Sequence, residues 1–405
     1  MTQKHAILFV DDEPNILQGL RRMLRPMRDK WDMHFAGSGQ EALEIMSKTA
    51  MDAVVSDMRM PGMDGPELLG RIMREYPDTV RFALSGYSDQ EMVGRSIQPT
   101  HQYLTKPCEE KKLVQALEQA MRARDFISNK VLLNKIARIE HLPMLPRAYT
   151  RITEELGKDD PSPKLIGEII SEDIGLTTNI LKLVNSAYFG LARPIVTPHQ
   201  ATIVLGVNVI RSVIFSLHLF KSFDTTGEKN FSLTRLWEHC LRTASIARCI
   251  AKVEGLGKEE ADNAYVSALV HDVGKLLMNA HCAEEYEAVF TEVRANNRRV
   301  ADVEAEMLGL THAQVGAYLL GLWGLPSEVV NAVALHHTGD TGQVDFGIAD
   351  VAYFANLLDH DLFVFNAHYA RPQASPDRLA TIGGPDRLMR WRGEAAALGI
   401  GQDGA

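Results

Sequence analysis

Three short apolar runs each lead into a polar residue that a buried strand does not need. AILFV precedes Asp11 and Asp12, DAVVS precedes Asp57, and VRFAL precedes Ser85. Runs of this length, at Ala6 to Val10, Ala53 to Val55 and Val80 to Leu84, read as buried parallel strands. Weaker strand candidates are Met33 to Ala36 and Tyr103 to Thr105, the second followed by Lys106. Between them, Ile16, Leu20, Met23, Leu24 and Met27, then Leu68, Leu69, Ile72 and Met73, recur at helical spacing. The alternation predicts an α/β doubly wound sheet, in which ligands sit at the carboxyl ends of the strands.

At those ends Asp11, Asp12 and Asp57 would crowd three carboxylates into one cleft, and their repulsion calls for a hard divalent cation. Magnesium suits oxygen ligands. With it in place Asp57 can attack a phosphoryl donor, while Lys106 neutralises phosphoryl oxygens and Ser85, in LSGY, offers a hydroxyl. Singly these residues mean little, since a strand-ending Asp is commonly a turn or helix cap and a Lys before Pro a solvated charge.

Together they carry a resemblance. DDE at 11 to 13, D-x-x-M-P-x-x-D-G from Asp57 to Gly65, SG at 85 and 86, and KP at 106 and 107 make residues 5 to 124 similar to the flavodoxin-like receiver domain of two-component response regulators. The resemblance implies that Asp57 is the phosphoacceptor. It also implies that Asp12 and Asp57 are direct magnesium ligands with Asp11 behind them, and that Arg59 is a ligand through its backbone carbonyl. Ser85 and Tyr103 fall where the family has its switch residues, so phosphorylation would add ~2 negative charges at Asp57 and reshape the face made by the last helices. A sensor histidine kinase is the implied phosphoryl source.

A chain of 405 residues, 45% hydrophobic, is long enough for a second core. No apolar run approaches the ~20 residues that cross a bilayer, and MTQKHAILF lacks the regions of a signal peptide, so a cytoplasmic protein with no membrane partner is expected. Cys108, Cys240, Cys249 and Cys282 contain no C-x-x-C pair, which suits reduced thiols. Residues 1 to 124 hold 17 basic against 18 acidic side chains, leaving 26 against 34 beyond them. A DNA-binding output would show a basic face, so direct DNA binding is not expected.

From Lys111 through Ile139 there is no Gly or Pro, and Leu113, Leu117, Ala120, Ile127 and Val131 mark a loose apolar stripe. This reads either as a helical linker over 125–140 that forms a coiled-coil homodimer, or as the last receiver helix followed by the next domain's first. HLPMLP at 141 to 146 stops any helix. Beyond it the chain reads as almost all helix: Ile166, Ile169 and Ile170 lead into Leu176, Ile180, Leu183 and Val184, and further helices are expected at Ile203 to Phe220, Leu236 to Val253, Ala261 to Asn279, Tyr286 to Ala295, Val300 to Met307, Ala313 to Trp323, Ser327 to Ala334 and Ile348 to Leu358. The tail over 366–405, rich in Gly, Pro, Arg and Ala, is expected to be loosely ordered.

LPMLPRAYTRI, SEDIGLTTNILKLVNSAYFG and QATIVLGVNVIRSVI, followed by LVHDVGKLL, THAQVGAYLLGLWGLP and ALHH, resemble the HDOD family, helical output modules related to HD phosphohydrolases. The domain is placed at 141–365. The relation implies His239, His271, Asp272 and Asp350 around one metal ion, and Asp272, His312, His336 and His337 around a second, with His271 and Asp272 adjacent on one helix. Iron, manganese or zinc suits imidazoles joined by carboxylates. Lys275 would hold a substrate phosphate. HHTGDTGQVDFG stands where relatives that cleave cyclic di-GMP carry an acidic residue and Gly-Tyr-Pro, which argues against that substrate. The expected protein is a response regulator signalling by contact with an unidentified downstream protein. The alternative is a receiver-controlled, metal-dependent phosphohydrolase or phosphodiesterase.

Overall fold

A computed structural model describes residues 4–85, 100–125, 147–156, 158, 160–186, 189, 194–222, 232–338, 345–363 and 370–399. They form two compact units, an N-terminal α/β unit and a helical one. In the first, strands β1 (His5–Val10), β2 (Trp31–Ala36), β3 (Ala53–Asp57), β4 (Val80–Ser85) and β5 (Gln102–Thr105) make one sheet in the order β2-β1-β3-β4-β5. All pairings are parallel, with Val10 beside Ser56 and Asp57 beside Leu84. Among the described residues the α-helices α1 (Pro14–Met23), α2 (Gly39–Met46), α3 (Gly65–Glu75) and α4 (Glu110–Asp125) accompany them. The doubly wound expectation holds, and the strands run one or two residues beyond the apolar runs. A core of Leu8, Val10, Val54, Met58, Leu68, Leu69, Ile72 and Ala83 explains the helical and strand periodicities together.

Residues 126–146 lie outside the described chain, and with them most of the expected linker helix, its coiled coil and the HLPMLP break.

The second unit comprises α5 (Arg147–Leu156), α6 (Pro163–Ser171), α7 (Ile174–Val184), α8 (Pro198–Leu205), α9 (Val207–Ser222), α10 (Leu233–Val253), α11 (Lys258–Val270), α12 (Val273–His281), α13 (Ala283–Asn296), α14 (Val300–Leu308), α15 (His312–Leu322), α16 (Ser327–Leu335), α17 (Ile348–Leu362), α18 (Pro376–Thr381) and α19 (Pro385–Ala396). Hydroxyl caps start several of them. Ser162, Thr197 and Ser375 each accept from the backbone N–H three residues on, with Pro at the first helical position where no N–H is needed.

Two expected helices are broken. The apolar run from Ile203 to Phe220 is divided by Gly206, whose φ of +84° ends α8, and α8 and α9 bend by 119°. The stretch from Ala261 to Asn279 is divided at His271 and Asp272, which therefore lie in a junction between α11 and α12 rather than along one helix. Among the described residues no single helix is long and apolar enough to cross a membrane.

The tail corrects its expectation. Over 370–399 it forms α18 and α19, and Trp391 is fully buried. Two of its prolines, Pro376 and Pro385, occupy first-turn positions and so start helices instead of breaking them. Trp391 Nε1 donates to Glu254 Oε1 at 2.7 Å, Arg387 pairs with the same carboxylate, and the Trp391 ring meets Phe346 and Phe354. The tail thus closes over α10 and α17.

Candidate functional site

In the α/β unit, the central position of β1 and β3 brings their carboxyl ends side by side. Asp11 follows β1 and is buried, with its Oδ1 accepting from the Glu13 N–H at 2.9 Å. Asp57 ends β3, and Lys106 follows β5. The Lys106 ammonium reaches both carboxylates, 2.8 Å from Asp11 Oδ2 and 2.6 Å from Asp57 Oδ1. Ligand atoms of Asp11, Asp12 and Asp57 lie within 4.8 Å of one another. Burial raises the Asp57 carboxyl above its usual range, more than Lys106 lowers it, and the Asp11 charge adds to the rise. For Lys106, burial disfavours the charge, but hydrogen bonds to Asp11 and Asp57 outweigh it and the ammonium is held above its ordinary value.

Three carboxylates against one ammonium leave a surplus of negative charge at an oxygen-only donor set, which fits a hard divalent cation. Arg59 is exposed in the loop between β3 and α3. The side chains of Ser85 and Tyr103 lie outside what the structure describes, although both backbones are in strands.

The helical unit gathers a second cluster. Ligand atoms of His239, His271 and Asp272 fall within 4.8 Å of one another, and so do those of Asp272, His312, His336 and His337. Asp272 belongs to both. Close helix contact makes this possible: a Cβ on Gly274 would lie 1.9 Å from the His312 carbonyl oxygen, so only glycine lets α12 lie against the start of α15.

The outward nitrogens fix the tautomers. His271 Nδ1 donates to the Ala268 carbonyl and His336 Nδ1 to the Val333 carbonyl, each at 2.7 Å. His239 Nδ1 meets Asp359 Oδ2 and His312 Nδ1 meets Glu304 Oε2, each at 2.6 Å. Each Nε2 is then a lone pair turned inward, the arrangement metal-binding imidazoles adopt. The inward nitrogens crowd: His239 Nε2 and His271 Nε2 are 3.1 Å apart, and His337 Nε2 and His312 Nε2 are 2.8 Å apart. Asp272 Oδ1 lies 3.1 Å from His312 Nε2, yet neither it nor His336 Nε2 has a hydrogen-bond partner although both are buried. Imidazole nitrogens and a carboxylate converging on one point, with two of the buried atoms lacking a hydrogen-bond partner, fit a bound cation.

The protonation states agree. Burial holds His239 below its usual range against the pull of Asp359, puts His337 well below it, and pushes His336 down to about 3. His312 is the exception: burial alone would lower it, but Glu304 and Asp272 hold it above its ordinary value. Asp272 is ionised, since His271 and Lys275 overcome the burial that disfavours its charge.

Asp350 is not part of the cluster. Arg378 grips both its oxygens, Nε to Oδ1 and Nη2 to Oδ2 at 2.5 Å each, and Oδ2 also accepts from the Gly347 N–H. It caps α17 and anchors the tail, which corrects the expected ligand set. Lys275 Nζ stands 2.6 Å from Asp272 Oδ2, so its ammonium orients this carboxylate. The supporting residues Glu304, Asp359 and Arg242, the last bonded to Asp359 through Nε at 2.7 Å, were not singled out from the sequence. A signal existed: Glu304 interrupts the apolar stripe Val300, Val303, Met307, and Asp359 the stripe Ala352, Ala355.

Two sites on two folds make this a two-module protein, an α/β unit with a carboxylate and lysine cluster and a helical unit with a histidine and aspartate cluster. The response regulator receiver domain model matches residues 7–118 and the HDOD domain model residues 142–339, so the chain carries a receiver domain followed by an HDOD domain. A Treponema pallidum protein of uncharacterised function is 29% identical over 201 residues, 49% of this chain and 38% of that protein. The hydrogenase transcriptional regulatory protein HoxA of Bradyrhizobium diazoefficiens is 32% identical over 124 residues, 30% of this chain and 25% of its own length. The chain therefore spans well under half of these curated relatives. An HDOD domain protein of unknown function from Geobacter sulfurreducens is 22% identical with a TM-score of 0.49, covering 71% of this chain and 99% of that one.

Proposed function

We propose that the chain is switched by transfer of a phosphoryl group from a sensor histidine kinase to Asp57, with magnesium at Asp11, Asp12, Asp57 and the Arg59 carbonyl. The observation that carries this reading is the Lys106 ammonium held between Asp11 and Asp57, at 2.8 and 2.6 Å, where it would meet the oxygens of a phosphoryl group on Asp57. Ser85 and Tyr103 are the switch residues of this reading, and the helical module hands the signal to a downstream protein in the cytoplasm without binding DNA. A homodimer through the linker belongs to the same proposal. Asp57→Asn should abolish phosphate incorporation from acetyl phosphate with magnesium, and undiminished labelling of that variant would sink the assignment.

A second reading is favoured by the unpartnered Asp272 Oδ1 and His336 Nε2. In it the helical module binds two iron, manganese or zinc ions, one at His239, His271 and Asp272, the other at Asp272, His312, His336 and His337. Such ions supply Lewis-acid polarisation of a phosphoester. The protein's own part is to fix the imidazole tautomers through Asp359, Glu304 and two backbone carbonyls, and to hold Asp272 ionised and oriented by Lys275. Elemental mass spectrometry of protein purified without chelators, beside Asp272→Ala, tests it. A metal-free parent that stays folded would leave the module as a protein-binding surface.

A further inference from the structure

The two half-sites are unequal. One has four donors, Asp272, His312, His336 and His337, and the other only three, His239, His271 and Asp272. Among the described residues, the two carboxylates of α17 nearest this half-site in sequence are engaged elsewhere: Asp350 is gripped by Arg378, and both oxygens of Asp359 are taken by His239 and Arg242.

One side chain on α17 is placed to do so. Asn356 is 2% exposed, and its Oδ1 is buried without a hydrogen-bond partner. It precedes Asp359 by three residues, which on a helix puts the two side chains on one face about 5–6 Å apart at Cβ. That face is the one packed against His239, whose Nδ1 meets Asp359 Oδ2 at 2.6 Å. The same helix packs against α10, which carries His239, and against α11 and α16, which end one residue before His271 and His336 respectively. A buried amide oxygen in such a place ordinarily finds a donor. It also has the right chemistry for a ligand, since amide carbonyls coordinate divalent ions as neutral oxygen donors.

We propose that Asn356 supplies the missing oxygen donor of the His239 half-site, in place of the carboxylate expected at Asp350. The proposal rests on the metal-binding reading of the helical module. It makes the His239 half-site the weaker of the two, because its added ligand brings no charge, and it gives a neutral amide control over whether the second ion binds.

Manganese(II) is the probe, counted by elemental mass spectrometry on the full chain after chelator treatment and reloading, with affinities from competition against a chelator of known strength. The parent should hold two equivalents, one of them weaker. Asn356→Ala should keep the tight ion and weaken the other by about 10–100-fold. Asn356→Asp, nearly isosteric, should tighten the weaker ion by about tenfold or more, because added ligand charge raises affinity. A merely structural Asn356 would lose folding or nothing in both variants, and would not move the weaker affinity in opposite directions. Two equivalents at parental affinities in Asn356→Asp and Asn356→Ala would overturn the proposal while leaving the metal centre standing. A parent that binds no manganese would overturn the metal reading itself.

Discussion

Gly274→Ala tests how the helical centre is held together. The new Cβ would stand 1.9 Å from the His312 carbonyl oxygen, against the 3.4 Å at which ordinary contact begins, a shortfall of about 1.5 Å. The obstacle is backbone at the start of α15, so no side-chain rotation relieves it. The helices must part, and His312 Nε2 moves away from Asp272 Oδ1, now 3.1 Å distant. Coordination tolerates about 0.2 Å, so the shared half-site should be lost. Overpacking of this kind costs roughly 1–3 kcal/mol, and a backbone clash belongs at the upper end. For a unit of this size ~3 kcal/mol lowers Tm by roughly 6–12 °C. Gly316→Ala is the internal control. Its Cβ would meet Val273 Cγ1 at 3.1 Å and the Gly274 nitrogen at 3.2 Å, a shortfall of a few tenths of an ångström. Differential scanning calorimetry and metal content should therefore rank the variants 274 far worse than 316. Equal small losses, or full metal in Gly274→Ala, would refute close helix approach as the determinant of the centre.

Further tests are independent of that one. Glu304→Gln removes the charge that orients and supports His312, and should weaken metal binding by about 10–100-fold with the fold intact, read by chelator competition. Arg378→Ala would leave Asp350 buried and uncompensated, 1% exposed at its side chain, and should lower stability by roughly 3–5 kcal/mol in urea unfolding; a loss under 1 kcal/mol would mean that the tail is not anchored there. In the metal-free chain, burial holds His336 and His360 at about 3 against the ordinary 6.5. The unfolded chain then binds more protons between those limits. Their stability contribution is complete above pH 6.5 and is lost as pH falls toward 3, by ~1.4 kcal/mol per pH unit for each imidazole. A urea midpoint independent of pH between 7.5 and 5 would contradict this.

Receiver strands and helices were legible because buried parallel strands are nearly continuous apolar runs and the helices between them are strongly one-sided. The carboxylate and lysine cluster was legible because its residues stand directly after those runs. In the helical unit six of the seven expected metal-site residues do converge. The seventh, Asp350, was misplaced because a carboxylate in the first turn of a helix looks the same in sequence whether it caps, pairs or ligates; only the partner, Arg378, 28 residues on, decides. Continuous helix across His271 and Asp272 was a periodicity error of the same kind, since both flanks carry apolar residues at helical spacing and nothing local marks the break. The tail was misjudged by composition, which counts Pro and Gly without asking where in a helix they fall.

The match to the helical family ends at residue 339, yet Asp359 supports His239 from α17, and Trp391 and Arg378 seal that helix from beyond it. The segment that could be exchanged between proteins as one inheritable part is therefore longer than the shared sequence. A recombination breakpoint placed just after residue 339 would hand the recipient an orphaned histidine and an uncovered helix. Joins that succeed should fall past residue 399, or bring a tail of matching shape from the new host.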